Sequence, residues 1–228
     1  MGIEANHDAV IIFVRNPVPG RVKTRLAREI GNDEACCLYQ AMVDDLLEEV
    51  SRCGAPIYLF HDGDDSTELP GKWSCSAHEI VPQSGISIGD RMTAAFIYLF
   101  SQGRSRVALL GSDIPGLDKP ILSEVFDKLD SNDVAIVPAE DGGYCLIALR
   151  SDKFRESIFQ EIEWSTDTVL AKTLERISAD ELKVSLLESR RDIDTLADLE
   201  RYRSNPAVTS YRLNKLITEI KAFNNPRL

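Results

Sequence analysis

The chain has 228 residues, of which 43% are hydrophobic and 28% charged, with a formal net charge of -11. That length and balance suit a globular protein with a sizeable core and exclude a disordered chain. The acidic excess excludes a general nucleic-acid binder, which needs a broad basic face. No apolar run approaches the roughly 20 residues needed to span a membrane.

The first segment, residues 9–15 (AVIIFVR), is a continuous apolar run, as expected of a strand buried on both faces. A short helix starts near Thr24 and closes at Gly31. Apolar residues then recur at Ala35, Leu38, Tyr39, Met42, Val43, Leu46, Leu47 and Val50, which is helical spacing, behind acids suited to a helix N-terminus. Strand PIYLF (56–60) follows, then a polar loop rich in Asp, and a short strand at 78–82. Further on come a helix at 88–100, a strand at 106–111, a helix at 118–129, and strands at 133–138 and 144–149. A helix at 165–178, a strand at 182–188 and a helix at 195–203 complete the core. The stretch from Pro206 reads as an amphipathic helix with a frayed tail, able to pack on the domain or to serve a homodimer.

Strands and helices alternate throughout. This predicts an α/β fold: a three-layer α/β/α arrangement around a mostly parallel, mixed sheet. With no linker or repeat, one domain over 1–228 is expected, with its core at about 9–203 and a C-terminal helix and tail at 206–228. The five cysteines include no CxxC spacing and the three histidines show no metal-ligand spacing. Reduced thiols, no zinc site and, with no secretory pattern at the N-terminus, a cytoplasmic location are expected.

In open α/β sheets ligands sit at the carboxyl ends of strands, so the segments just after each strand are informative. After the first strand comes RNPVPGRVKTRLA. Between residues 9 and 30 stand five Lys or Arg and one acid, a basic island on an acidic chain. Pro17 and Pro19 stiffen the turn, Gly20 permits close backbone approach, and a helix start near Thr24 offers N–H groups. With Arg15, Arg21, Lys23 and Arg25 this makes a phosphate seat; the competing account is a helix start with solvated cations. Neither GxxxxGK[ST] nor GxGxxG is present, so this is neither a Walker A loop nor a dinucleotide fingerprint.

Other strand ends carry carboxylates. Ser112 and Asp113 follow the 106–111 strand, and Asp113 is placed as a Mg²⁺ ligand or as a turn Asp. Asp141, Gly142, Gly143 and Tyr144 form a hairpin turn or bring a carboxylate and bare N–H groups to a ligand. Trp164 is a core residue or a platform for a substrate, and Ser165 or Thr166 is a helix-cap candidate. Asp192 and Asp194 precede a capping box of Thr195 and Asp198; the box accounts for Thr195, and Asp194 is either a second metal carboxylate beside Asp113 or a plain cap-region Asp. The loop QSGISIGDRM (83–92) either shapes the pocket, with Arg91 as a second phosphate or substrate contact, or is an ordinary loop with an exposed Arg.

Taken together, FVRNPVPGRVKTRL, QSGISIGDRM, GSDIPGL, EDGGYCLIAL, IEWSTDTVLAKTL and DIDTLADL span roughly residues 9 to 200. In this order they resemble the GT-A-like nucleotide-diphospho-sugar transferase superfamily. The chain is most similar there to the radical-SAM/selenodomain-associated transferases, with kinship to the molybdenum-cofactor and phospholactate or phosphoenolpyruvate guanylyltransferases. The resemblance implies a transferase that uses a nucleoside triphosphate or a nucleotide sugar, a small-molecule acceptor, and Mg²⁺ or Mn²⁺. It implies phosphate contacts from Arg15, Pro19, Gly20, Arg21, Lys23, Thr24, Arg25, Gln83, Gly85 and Ser112. Lys23, Arg25 and Asp113 are then the catalytic candidates. Metal falls to Asp113 and Asp194, with Asp141 as a further candidate. Substrate falls to Arg91, Asp141, Gly142, Gly143, Tyr144, Trp164, Ser165 and Thr166. Where sugar transferases of this fold present a DxD pair, this chain has the single carboxylate Asp113. The rival from another class is a non-catalytic nucleotide sensor on the same fold.

Overall fold

Strand β1 (Asp8–Val14) lies at the centre of the core, with every residue but Phe13 buried. In the computed structural model, which describes residues 7–63 and 68–220, β1 is flanked by β2 (Ile57–His61) and β4 (Arg106–Gly111), both parallel to it. The sheet continues through β3 (Glu79–Pro82) on one side and β6 (Tyr144–Arg150), β5 (Val134–Pro138) and β7 (Val184–Leu186) on the other. The order is β3-β2-β1-β4-β6-β5-β7, and β6 alone runs antiparallel to its neighbours. The mixed, mostly parallel sheet expected from the sequence is the one observed.

Side chains alternate across the sheet with period two. Val10, Ile12 and Val14 of β1 face a layer built by α1 (Thr24–Ile30), α2 (Asn32–Ser51), α3 (Gly71–Ser76), α5 (Lys119–Lys128), α7 (Leu196–Ser204) and α8 (Tyr211–Glu219). Ala9 and Ile11 face the opposite layer of α4 (Ile88–Ser101), α6 (Val169–Ala179) and a 3-10 turn at Glu156–Phe159. Because β2 and β4 lie on opposite sides of β1, the chain reverses direction there. This opens a crevice beyond the carboxyl ends of β1 and β4, and the Lys23 loop and Asp113 both stand at its mouth.

Four expectations need correction. The helix expected at 165–178 begins only at Val169, because Ser165 takes a left-handed backbone (φ 66) and residues 165–168 form a turn. Neither Ser165 nor Thr166 caps it: Thr168 holds the N-cap position, without a side-chain cap, and Thr166 Oγ1 donates to the Glu163 carbonyl at 2.8 Å instead. The strand expected at 182–188 shrinks to Val184–Leu186, an edge strand paired only with β5. Helix α3, inside what read as loop, is held by Trp73, which is fully buried and donates through Nε1 to Asp44 at 2.7 Å. Part of the Asp-rich loop (64–67) and the expected tail (221–228) lie outside the described residues.

The C-terminal helix docks on this chain. Leu213 and Ile217 of α8 are buried in the α2 layer. The buried Asp45 carboxylate on α2 accepts the Arg212 and Leu213 backbone N–H groups at 3.1 and 3.0 Å and Arg212 Nη1 at 2.9 Å. One acid thus caps α8 and ties it to α2. Asp45→Ala leaves those donors without their acceptor and is expected to cost about 2–3 kcal/mol. Urea unfolding and limited proteolysis should show lower stability and early cleavage before α8.

Candidate active site

Three cavities adjoin at the carboxyl end of the sheet. The first, about 300 Å³, lies over β1, β4 and β6 and is lined by apolar Phe13, Ile88, Met92 and Leu109 and polar Arg15, Gln83, Arg91 and Ser112. The second, about 410 Å³, shares Arg15, Tyr39 and Asp113 with it and adds Lys23, Thr24, Arg25, Ser165 and Asp194. The third, about 510 Å³, shares Arg25, Ser165 and Asp194 with the second and adds Asp141, Gly143, Tyr144, Trp164 and Thr166. The shared walls make one continuous cleft.

Lys23 sits at its centre. The residue takes a left-handed backbone (φ 47) at the N-cap of α1, with no side-chain cap and no acid in the first helical turn. Its side chain is only 4% exposed, and its Nζ donates to Asp113 Oδ2 at 3.0 Å and Asp194 Oδ1 at 2.8 Å. Burial pulls the Lys23 ammonium down, but the two carboxylates outweigh it and hold the group above its ordinary range. Arg25, largely exposed, stands 3.7 Å from the other Asp194 oxygen. Left-handed backbone at a side chain other than Gly costs energy and collects at functional sites; Lys23 and Ser165 both show it and line the same cavity.

Each carboxylate is placed by its own element. Asp113 follows β4 directly. Asp194 precedes α7, whose expected capping box is present: Thr195 and Asp198 cap each other, and Asp198 also accepts the Asp194 N–H at 3.3 Å. The box holds the Asp194 backbone and leaves its carboxylate to Lys23. A bond from Ile193 N–H to the Asp113 carbonyl, at 3.4 Å, ties the two loops together. Asp192 is pushed up to about 6 by burial and by the neighbouring Asp194 and Asp113, against the pull of Lys23. Among the described residues no group of three or more His, Cys, Asp or Glu forms a ready metal cage. The pair Asp113 and Asp194 nonetheless fits Mg²⁺ or Mn²⁺ chemistry: two hard oxygen donors, each over a third exposed, facing room for phosphate and water.

The other expected residues divide. Gln83 and Arg91 brace one another: Gln83 Nε2 donates to the Phe60 carbonyl at 3.0 Å and Gln83 Oε1 accepts from Arg91 Nη1 at 3.3 Å. The Gly85 carbonyl accepts Arg91 Nε at 3.2 Å. Arg15 pairs with Asp62 at 3.4 Å at the rim. Pro19, Gly20 and Arg21 are exposed and line none of the three cavities, so they shape the turn. Asp141 and Gly142 make the hairpin between β5 and β6, with Asp141 Oδ1 accepting the Gly143 N–H at 3.0 Å. Trp164 packs edge-on against Gly89 of α4, where a Cβ would come within 2.8 Å of the indole, and its other side meets the third cavity.

Tyr39 is a site residue that sequence reading placed only in the core stripe of α2. Its buried hydroxyl accepts the Arg15 N–H at 2.8 Å and shares a hydrogen bond with Ser112 Oγ at 3.0 Å, joining the loops after β1 and β4. Cys145, beneath the first cavity, has its thiol pushed up to about 12 by burial.

A structure named "putative nucleotide-diphospho-sugar transferase" from Desulfovibrio desulfuricans G20 matches at 33% identity and TM-score 0.84, over 94% of this chain and 98% of that one. Fold and sequence thus define a member of the nucleotide-diphospho-sugar transferase superfamily. Within it the chain belongs to the family described as "uncharacterized protein conserved in bacteria (DUF2064)", matched over residues 46–166, more than half its length. That stretch contains Asp113, Asp141 and Trp164; Lys23 and Asp194 lie outside it. Two more distant structures share the fold. CMP:2-keto-3-deoxy-manno-octonic acid synthetase complexed with CTP matches at 14% identity and TM-score 0.52, over 86% of this chain and 97% of that one. 4-Diphosphocytidyl-2C-methyl-D-erythritol synthase from Anaerococcus prevotii DSM 20548 matches at 12% identity and TM-score 0.54, over 93% and 99%. No curated protein matches the sequence.

Two outcomes test this geometry. At Gly142 (φ 92) an added Cβ would lie 2.1 Å from the Asp167 carbonyl oxygen, whereas at Gly20 (φ 78) the nearest atom is 3.6 Å away. Gly20→Ala should cost about 1–2 kcal/mol from backbone alone, and Gly142→Ala distinctly more in the same urea titration. Alkylation of the folded protein, read by mass spectrometry, should modify exposed Cys37 and Cys75 and spare buried Cys36 and Cys145.

Proposed function

We propose that this chain, a nucleotide-using transferase by class, transfers a nucleotidyl group from a nucleoside triphosphate to a small acceptor. The observation that supports this best is the meeting of Lys23, Asp113 and Asp194, drawn from three distant parts of the chain, in a cavity that adjoins two others. The first cavity, apolar on one side and polar on the other, suits a nucleoside. The second, with Lys23, Thr24 and Arg25, suits the phosphate chain. The third, with Asp141, Tyr144, Trp164 and Thr166, suits the acceptor. The first and third cavities share Ile88, Met92 and Tyr144, so an acceptor in the third would reach the α-phosphorus from the side opposite the β-phosphate, as in-line attack requires.

An acceptor oxygen attacks that phosphorus, the bond to the β-phosphate breaks, and pyrophosphate leaves. Lys23 and Arg25 offset the negative charge that grows on the phosphate oxygens, from positions already organised before reaction. Asp141, exposed at the third cavity, stands on the acceptor side and can take its proton. Asp113 and Asp194 would hold Mg²⁺ or Mn²⁺, which supplies charge neutralisation to the phosphates when bound. Tyr39 and Ser112 keep the two phosphate-facing loops in register.

Two relatives bear names that fit. The structure at 33% identity is named for nucleotide sugars, and a distant neighbour is a synthetase in complex with CTP. Lys23→Ala and Asp113→Ala should each lower pyrophosphate release by about 10²–10³-fold, with far-ultraviolet circular dichroism unchanged. Near-normal turnover in either folded variant would contradict the assignment. Release of nucleoside diphosphate from a nucleotide sugar, with no pyrophosphate from any triphosphate, would move the reaction to glycosyl transfer on the same site.

A further inference from the structure

We infer that Lys23 is a resident counter-ion for the Asp113–Asp194 pair, one that a divalent cation must displace, so that metal and nucleotide enter together. This rests on the metal-dependent reading of the site given above. The geometry carries the step beyond it. The ammonium stands 3.0 Å from an Asp113 oxygen and 2.8 Å from an Asp194 oxygen, and its side chain is 4% exposed. A cation shared by those two carboxylates competes for the place the ammonium already fills. Two cations so close together repel, and a setting in which the ammonium is buried and the carboxylates are little more than a third exposed does not screen them fully.

Neighbouring groups sharpen the competition. Arg25 Nη1 approaches the second Asp194 oxygen at 3.7 Å, which takes further charge from that ligand. Among the described residues no third acid completes a cage that would draw a metal in without nucleotide. Lys23 therefore keeps two like charges together in the resting protein at no need of metal. Once a phosphate chain occupies the second cavity, the ammonium has an alternative anionic partner and the carboxylates are released. Lys23 is in this respect a positioning residue, setting the order in which ligands bind.

The test is Mn²⁺ binding to the full chain without nucleotide, read by electron paramagnetic resonance. Wild type should bind weakly. Lys23→Met should bind about tenfold more tightly or better, and Lys23→Arg, which keeps the charge, should stay weak. Adding Asp113→Asn to Lys23→Met should abolish the gain. A Lys23 that merely supports the site would give the opposite sign, since its loss would loosen the carboxylates; equal or weaker Mn²⁺ binding by folded Lys23→Met overturns the inference. If that variant does not fold, the ¹⁵Nζ resonance of Lys23 in the wild type decides: it should shift on adding Mg²⁺ with nucleotide, and an unmoved resonance overturns the inference. Pyrophosphate release by the wild type is scored separately. Turnover with unchanged metal affinity sinks the displacement alone, whereas failure to release either pyrophosphate from any triphosphate or nucleoside diphosphate from any nucleotide sugar sinks the reading of the site.

Discussion

A single buried ammonium between two carboxylates organises this molecule's working end. Lys23 comes from the loop after β1, Asp113 from the end of β4 and Asp194 from the approach to α7, and each reaches the same point. The sheet order, which sets β4 directly beside β1, brings them there. The surrounding devices serve that meeting. The capping box fixes the Asp194 backbone, Tyr39 and Ser112 fasten the neighbouring loops, and the left-handed turn at Lys23 directs its side chain inward. The ion pair does not define a stability asset in itself, since desolvation offsets much of the attraction. Its value lies in holding charge of both signs ready in a cleft.

The same arrangement resolves the contrast between an acidic chain and a basic first loop. Most of the Lys and Arg there stay on the surface, as Arg21 and Arg28 do. Lys23 turns into the cleft, and Arg25 remains at its rim within reach of Asp194. Local positive charge at a phosphate-sized cavity coexists with an overall charge of -11 because screening confines each effect to about 8–10 Å. The acidic remainder bears on solubility, while the cleft bears on ligand choice.

Much of the fold was legible in the sequence, for stated physical reasons. A continuous apolar run marked β1, and 3.6-residue spacing marked α2. Thr195 with Asp198 announced the start of α7, and Asp141-Gly142 announced the hairpin. Position after a strand singled out Lys23, Asp113 and Asp194 as residues that could share a site. What the sequence could not show was contact across the sheet. A cation and two carboxylates read as features of separate strand ends prove to be directly paired. Tyr39 looked like any apolar position in its helix, because periodicity reports which face is buried and not where a hydroxyl points. Ser165 broke the expected helix because its backbone is left-handed, a conformation that a Ser does not advertise. Helix α3 was hidden by its length of 6 residues and by polar neighbours, with Trp73 as its only strong anchor.

The cleft around Lys23 is expected to accept a nucleotide with its phosphates beside a divalent cation. Thermal unfolding with a panel of nucleoside triphosphates and nucleotide sugars, with and without Mg²⁺, tests it most directly. A ligand at about 100 times its dissociation constant adds roughly 2.7 kcal/mol of stability. At least one nucleoside triphosphate should give such a gain in the presence of Mg²⁺, and Lys23→Ala should lose it. An unfolding curve that no nucleotide moves, with or without metal, would contradict this expectation.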